Sequence, residues 1–198
     1  GLFASKGDYV YFLSDDDFIS NDYALKMVEL FKNNKNCYSA SPRVVSINES
    51  SIINKEMTDR MDQSNKRGRY TNGVHLAKSI MNKEGLIAAP GGILVQTSNN
   101  VIKNGGFDFL NDSTQYFRFA IYGDSGYDPR ATLYWRHHEG QGNKEIDRLG
   151  SCLQYQFKLH HLDEYKLYEL HTKIAGKDFA DKYIKYNLQI ARRGVSRS

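Results

Sequence analysis

Cysteine and long apolar runs are both scarce in this sequence. Its 198 residues include two cysteines, Cys37 and Cys152, whose separation matches no zinc-binding or redox spacing. The longest nearly apolar run, Leu86–Val95, is interrupted by Pro90 and two glycines and is too short to cross a bilayer. The first residues do not resemble a signal peptide. The sequence therefore favours a reduced, cytoplasmic setting.

An excess of one charge is also lacking. The chain carries 27 Lys and Arg residues against 23 Asp and Glu residues, a formal net charge of +4. Dedicated nucleic-acid binders are usually more basic, so we expect no nucleic-acid partner. Hydrophobic residues make up 40% of the chain, which is enough for a packed core and excludes wholesale disorder.

The N-terminal third predicts a strand, a helix and a second strand. Asp8–Leu13 is apolar almost throughout, as in a strand buried on both faces. A helix is expected from Asn21 to Lys32, followed by a strand at Tyr38–Val45 in which Pro42 indicates an edge or a bend. The residues expected on one side of the helix are Ala24, Leu25, Val28 and Phe31. This order is typical of an α/β layer fold.

The remainder of the chain gives weaker local signals. We expect a long polar surface segment at Asn48–Thr71 and a helix at Val74–Asn82. A buried apolar segment is expected at Leu86–Gln96, a second helix at Ser113–Tyr122 and a strand at Ala131–Arg136. Two or three further helices are predicted after Gly150. We therefore divide the chain into a catalytic region, 1–148, and a C-terminal helical extension, 149–198.

Three adjacent carboxylates, Asp15, Asp16 and Asp17, follow the first predicted strand directly. Adjacent carboxylates repel one another, so a fold that gathers them usually supplies a cation or a helix N-terminus. Mg²⁺ and Mn²⁺ take oxygen ligands of this kind and often bridge to phosphates. The alternative is an acidic turn that favours the N-terminus of the following helix.

Two later segments also carry groups suited to chemistry. Asp112 precedes a predicted helix after the glycines of Gly105–Asp108, where it can act as a general base or simply cap the helix. Arg136, His137 and His138 end a predicted strand, where arginine can hold phosphate and histidine can bind a metal. A solvated surface loop is the plain alternative for the two histidines.

The order of these motifs resembles the inverting family 2 glycosyltransferases of the GT-A fold. In that family a strand of the form G-x-Y-(apolar)-F-L leads into the acidic motif, as in Gly7–Asp17 (GDYVYFLSDDD). A later GGFD followed by an acidic pair is similar to Gly105–Asp108 and Asn111-Asp112. An Arg-x-His after a late strand is similar to Arg136–His138. The resemblance spans about two-thirds of the chain and implies a Rossmann-like mixed sheet with flanking helices.

Two departures from the family pattern change what the resemblance implies. Asn111 stands where the family has Glu, so only Asp112 is carried over as the base. Such enzymes also begin with βα units that hold the nucleotide base, and these would precede Gly1. We therefore expect the nucleotide-binding half to be incomplete here, with its first part absent or supplied elsewhere, and the chain alone to be inactive if it is truncated.

The resemblance implies metal-dependent transfer of a sugar from a nucleoside diphosphate sugar to an acceptor hydroxyl, with inversion. It gives Asp17, with Asp15 or Asp16 and His138, as the ligands of Mn²⁺ or Mg²⁺, and Asp112 as the base. Asp15, Asp16 and Arg136 would bind the donor, with Asp15 able to reach the ribose instead.

The resemblance also implies a setting and a set of partners. The expected donor is a UDP-sugar and the acceptor a saccharide or a lipid-linked sugar, as in polysaccharide biosynthesis. The enzyme would work in the cytoplasm or peripherally at the inner face of the membrane. The sequence indicates no oligomeric state. Two other classes stay open, a metal-dependent phosphohydrolase that uses the same acidic cluster and a non-catalytic binding domain.

Overall fold

The computed structural model describes residues 6–11, 13–65, 67–82, 93–96, 123–139, 169, 172, 173 and 175–185. The chain divides into two compact units, Gly1–His137 and His138–Ser198. In the second unit, residues 177–185 are helical, and Phe179, Ala180 and Tyr183 are buried. The first unit contains the sheet and the helices that pack on it. None of the helices within these described ranges is long and apolar enough to cross a membrane.

The first unit is a mixed α/β structure, which confirms the fold class expected from the sequence. Its described strands are β1 (Tyr9–Tyr11), β2 (Phe18–Ile19), β3 (Cys37–Asn48), β4 (Tyr70–Asn72), β5 (Leu94–Gln96) and β6 (Asp124–His137). Its described helices are α1 (Tyr23–Asn33), α2 (Lys55–Ser64) and α3 (Gly73–Met81). The helix predicted at Val74–Asn82 corresponds to α3.

The six strands form one sheet in the order β1-β5-β3-β6-β2, with β4 also paired to β6. The pair β3–β6 is parallel and the other pairs are antiparallel. Because β5 runs against both β1 and β3, the strands β1, β3 and β6 all point the same way. The carboxyl ends of β3 and β6 therefore lie at one edge of the sheet, where ligands bind in many α/β proteins.

Pro42 lies in an interior strand, so its expected place at a sheet edge is wrong. The irregularity it indicated is present, because Pro42 pairs with Asp128 whereas Arg43 pairs with Thr132. Residues 129–131 of β6 therefore have no paired position on β3. Proline lacks the N–H that a regular ladder needs, and an irregularity of this kind is where a sheet tolerates it.

Helix α1 is the main layer over one face of the sheet, and the prediction of its buried side is only partly confirmed. Of the four residues expected there, Phe31 is buried and Val28 is partly buried against the core. Leu25 is 75% exposed and Ala24 is exposed too. The residues that turn inward are Tyr23, Met27, Leu30 and Phe31, which pack with Cys37, Ala40, Leu94 and Ala131. Their spacing of three to four residues is that of one helical face. Burial raises the pKa of Cys37 to about 11, so its thiol stays protonated.

The segment expected to be a polar surface excursion contains a helix, α2. Its apolar content is low, and specific polar contacts hold it instead. The Asn54 side chain accepts a hydrogen bond from the Met57 N–H at 3.1 Å and caps the first turn. Arg43 donates from Nε and Nη2 to both carboxylate oxygens of Asp62, which ties α2 to β3. A fork of this kind fixes both position and orientation.

Strand β6 begins at Asp124, earlier than the predicted start at Ala131. The sequence analysis missed its first half because that part lacks the apolar pattern of a strand. It includes Asp128, which is buried, and Pro129, which lies in the irregularity. The Asp128 carboxylate accepts hydrogen bonds from the Arg130 N–H at 3.0 Å and from its guanidinium at 2.9 Å and 2.6 Å. These bonds lower the pKa of Asp128. The local pairing lets a charged residue lie inside the sheet.

Gly123 precedes β6 at a point where the chain allows no side chain. A Cβ at this position would lie 2.3 Å from the Asn36 carbonyl oxygen and 2.3 Å from a ring carbon of Tyr38. We therefore expect Gly123→Ala to lower the free energy of unfolding by at least about 1–3 kcal/mol, the usual cost of overpacking. Gly68→Ala is the matched control, because the nearest atom to its Cβ is 3.7 Å away. Equal urea midpoints for the two variants would contradict the prediction.

Candidate functional site

The acidic segment, Asp15–Asp17, runs from the end of β1 towards the carboxyl end of β6. Strand β1 ends at Tyr11, level with the first third of β3, because Tyr11 and Ala40 both pair with Leu94 of β5. Strand β2 then pairs antiparallel with β6, with Phe18 opposite Tyr134. The three carboxylates are thereby brought to the edge of the sheet at which β3 and β6 end.

Arg136 joins this segment to the end of β6. Its backbone N–H donates to Oδ1 of Asp17 at 2.9 Å, and its Nε donates to the carbonyl oxygen of Asp16 at 3.0 Å. Asp17 and Arg136 are 119 positions apart in the sequence. The structure therefore brings together two of the motifs singled out from the sequence.

The same guanidinium also holds the loop between β3 and α2. Its Nη1 donates to the carbonyl oxygens of Asn48 at 3.1 Å and Glu49 at 2.7 Å, and to Oγ of Ser51 at 3.1 Å. Arg136 therefore links the acidic segment, β6 and the β3–α2 loop. Its expected contact with the donor stays a prediction.

Asp17 is a half-buried carboxylate, and its surroundings disfavour the charged form. Burial raises its pKa, the hydrogen bond from the Arg136 N–H opposes that shift, and the neighbouring charge of Asp16 adds to it. A desolvated carboxylate of this kind attracts a cation more strongly than one in bulk water. Asp15 is exposed, so the segment presents both a solvated and a half-buried carboxylate.

His137, one of the two histidines named at the end of the predicted strand, lies at this edge, and its burial was missed by the sequence analysis. Its ring lies 4.0 Å from the Trp135 ring, and its Nε2 is buried with no hydrogen-bond partner in the described part of the chain. Burial lowers its pKa, and the charge of Asp16 opposes this shift. The family pattern indicated the neighbouring His138, which belongs to the second unit. The metal-binding role of His138 stays a prediction.

Phe18 was also missed, because β2 has two residues and gives no periodic signal. Its ring stacks on Tyr134 with 4.5 Å between centroids, and the Arg136 guanidinium lies 5.8 Å from its centre. The Phe18 ring therefore lies beside the Arg136 guanidinium where the acidic segment enters β2. Asp112, the expected base, lies outside the described residues.

The carboxylate oxygens of the acidic segment are suited to a divalent cation that is also coordinated by a bound ligand. Within the described ranges, no three His, Cys, Asp or Glu side chains gather closely enough to enclose a metal. Mg²⁺ is commonly bound through one or two carboxylates together with substrate phosphates, without a closed protein cage. Asp17, with Asp15 or Asp16, offers that partial set of hard oxygen ligands.

No family model and no curated protein matches this chain. The functional assignment therefore depends on the geometry of the acidic segment and on the motifs it joins.

Replacing Asp17 with asparagine tests whether burial of the charged Asp17 carboxylate destabilises the fold. When the pKa of a carboxyl group is higher in the folded than in the unfolded state, the folded protein loses stability as the pH rises through the folded-state pKa. Asn keeps an oxygen that can accept the Arg136 N–H but carries no charge. We therefore expect Asp17→Asn to raise the melting temperature by on the order of 1–3 °C at pH 7. At pH 3, where the wild-type carboxyl is itself protonated, we expect the difference to shrink.

Asp15→Asn is the control for this comparison, because Asp15 is exposed. Its melting temperature should follow that of the wild type at both pH values. A lower melting temperature for Asp17→Asn at pH 7 would show that the charged carboxylate stabilises the ligand-free fold.

Proposed function

We propose that this chain carries the catalytic site of an inverting, metal-dependent glycosyltransferase with a GT-A-like fold. The observation that carries the proposal is the hydrogen bond from Arg136 to Asp17, which joins the acidic motif to the late-strand motif. The resemblance assigns both motifs to one donor site, in which the acidic segment and His138 would hold the metal and Arg136 would help to bind the donor. The mixed sheet with flanking helices agrees with that fold class.

In the proposed reaction, the acidic segment would hold a cation that neutralises the negative charge developing on the leaving group. When the acceptor oxygen attacks the anomeric carbon, the bond from that carbon to the phosphate oxygen breaks and the nucleoside diphosphate leaves. A bound Mn²⁺ or Mg²⁺ would act as a Lewis acid on the departing diphosphate. Asp17, with Asp15 or Asp16, would hold the cation, and Arg136 would keep these carboxylates in place.

The acceptor hydroxyl must lose its proton as it attacks from the opposite face of the sugar. We assign that proton to the carboxylate of Asp112, as the resemblance implies. Attack opposite the leaving group inverts the anomeric configuration. A general base of this kind contributes about 10²–10⁴-fold to the rate.

The partners of the site are proposed from the same resemblance. The donor would be a UDP-sugar and the acceptor a saccharide or a lipid-linked sugar. Such an enzyme would serve polysaccharide biosynthesis from the cytoplasmic side of a membrane.

Thermal-shift titration tests the proposed metal–diphosphate site. We expect Mn²⁺ and UDP together to raise the melting temperature by more than the sum of their separate effects, because each completes the other's binding site. At 100 times the dissociation constant, bound ligand stabilises by about 2.7 kcal/mol, which is several degrees for a chain of this size. The shift should be lost in Asp17→Asn.

The matched control is Asp59→Asn, which removes an exposed carboxylate of α2 and should keep the full shift. Absence of a joint effect in the wild-type chain, and in a version extended at its N-terminus, would overturn the proposed site.

The base assignment has a separate test in which binding and transfer are measured together. We expect Asp112→Asn to keep the joint Mn²⁺–UDP shift but to lower acceptor-dependent UDP release by at least about 100-fold. Transfer at a near-normal rate would show that another group is the base. UDP-sugar cleavage that needs neither an acceptor nor Asp112 would favour a phosphohydrolase instead.

A further inference from the structure

Ser51, in the loop between β3 and α2, has an unfavourable backbone conformation. Its φ is 62°, and it is the one residue other than glycine in the described ranges with a positive φ. In this left-handed region the Cβ atom lies too close to the following carbonyl oxygen, so glycine, which has no Cβ, usually occupies it. The presence of serine here points to a use for its side chain.

Local hydrogen bonds fix the turn that contains Ser51. The Ser51 N–H donates to the carbonyl oxygen of Asn48 at 2.9 Å, and the Asn48 N–H donates to that of Ile52 at 2.9 Å. Ile47 and Ile53 pair antiparallel on either side. The three residues between Asn48 and Ile52 thus form a short hairpin loop of the kind that usually has glycine at its left-handed position. Glycine would suit this backbone better but could not supply a hydroxyl.

The Ser51 hydroxyl contacts the residue that holds the acidic segment. Its Oγ accepts a hydrogen bond from Nη1 of Arg136 at 3.1 Å. The same nitrogen donates to the carbonyl oxygens of Asn48 and Glu49, and Nε of Arg136 donates to that of Asp16 at 3.0 Å. The guanidinium is rigid and planar, so the acceptors on its Nη1 also direct its Nε towards the acidic segment.

We propose that Ser51 is a positioning residue of the donor site, a proposal that rests on the function proposed above. Its hydroxyl and the carbonyl oxygens of Asn48 and Glu49 form three acceptors that orient Arg136. Arg136 in turn holds the backbone of the acidic segment at Asp16. Loss of the hydroxyl would leave the guanidinium less restrained and would weaken the binding of a cation and a diphosphate at this segment.

Three variants separate the hydroxyl of Ser51 from its backbone conformation. Ser51→Gly and Ser51→Ala both remove the hydroxyl, but only glycine adopts the left-handed conformation without a clash. Ser51→Thr keeps the hydroxyl and adds a β-branch, which this conformation disfavours. The matched control is Ser50→Gly, at an exposed position of the same turn. Each protein is measured for its ligand-free melting temperature and, by calorimetry, for its dissociation constant for UDP at saturating Mn²⁺.

We expect the affinity for UDP to depend on the hydroxyl. Ser51→Gly and Ser51→Ala should bind about three- to ten-fold more weakly than the wild type, the usual effect of one lost hydrogen bond. Ser51→Thr and Ser50→Gly should bind as the wild type does. The melting temperature should depend on the backbone instead, with Ser51→Gly above Ser51→Ala and Ser51→Thr below the wild type. A purely structural role would change affinity and melting temperature together.

A second readout needs no ligand. The Arg136 Nε–H gives an NMR signal, assigned by its absence in Arg136→Lys, and its exchange with solvent reports how firmly the guanidinium is held. We expect exchange at least about three-fold faster in Ser51→Gly and Ser51→Ala than in the wild type. The exchange rate should be unchanged in Ser51→Thr and Ser50→Gly.

Three results would overturn the proposal while leaving the proposed function intact. The first is wild-type affinity in Ser51→Gly, and the second is unchanged Nε–H exchange in that variant. The third is a loss of affinity in Ser51→Thr equal to that in Ser51→Ala, which would show that the hydroxyl is not what matters. Failure of the wild-type chain to bind UDP with Mn²⁺ would overturn this proposal and the proposed function together.

Discussion

The parallel pairing of β3 with β6 is the constraint on which the first unit depends. It runs from Cys37 opposite Asp124 to Asn48 opposite His137, between strands that are distant in the sequence. Strand β5 pairs with β3, β2 and β4 pair with β6, and α1 packs against both. A slip of one residue along β3 would turn the side chains of β6 to the other face and move the Arg136 guanidinium away from the carbonyl oxygens of Asn48 and Glu49. The contacts that Arg136 makes with the β3–α2 loop therefore depend on the β3–β6 register.

That register is not uniform, and its irregularity has a structural role. Beyond Pro42 the partner on β6 passes from Asp128 to Thr132, so β6 uses more residues than β3 over the same length. The cost is a carboxylate inside the sheet, which Arg130 satisfies through three hydrogen bonds. Because the pairing resumes in register after this point, Arg136 still reaches the level at which the acidic segment enters β2.

Elements with strong local patterns could be predicted from the sequence, and elements made by tertiary contacts could not. The apolar run at β1 and the spacing in α1 and α3 identified those elements, although the exposed Leu25 and the buried Met27 show that the inner face of α1 was only partly predicted. Helix α2 depends on the Asn54 cap and the Arg43–Asp62 pair, which hydrophobic periodicity does not report. The acidic segment and Arg136 were recognisable as motifs. His137 was recognisable beside His138, but the burial of its Nε2 was not.

The arrangement of the acidic segment is supported by hydrogen bonds from the backbone and the guanidinium of Arg136. Arg136 binds carbonyl oxygens on both sides of the edge, so the position of Asp17 is fixed within the chain itself. Burial beside Asp16 then makes the charged form of Asp17 unfavourable in the fold. In the proposed function, a cation bound to Asp17 would relieve this unfavourable state, and part of the stability lost by burying the carboxylate would be recovered on binding. Sites arranged in this way are more stable with a ligand than without one, because their fixed charges are prepared before the ligand arrives.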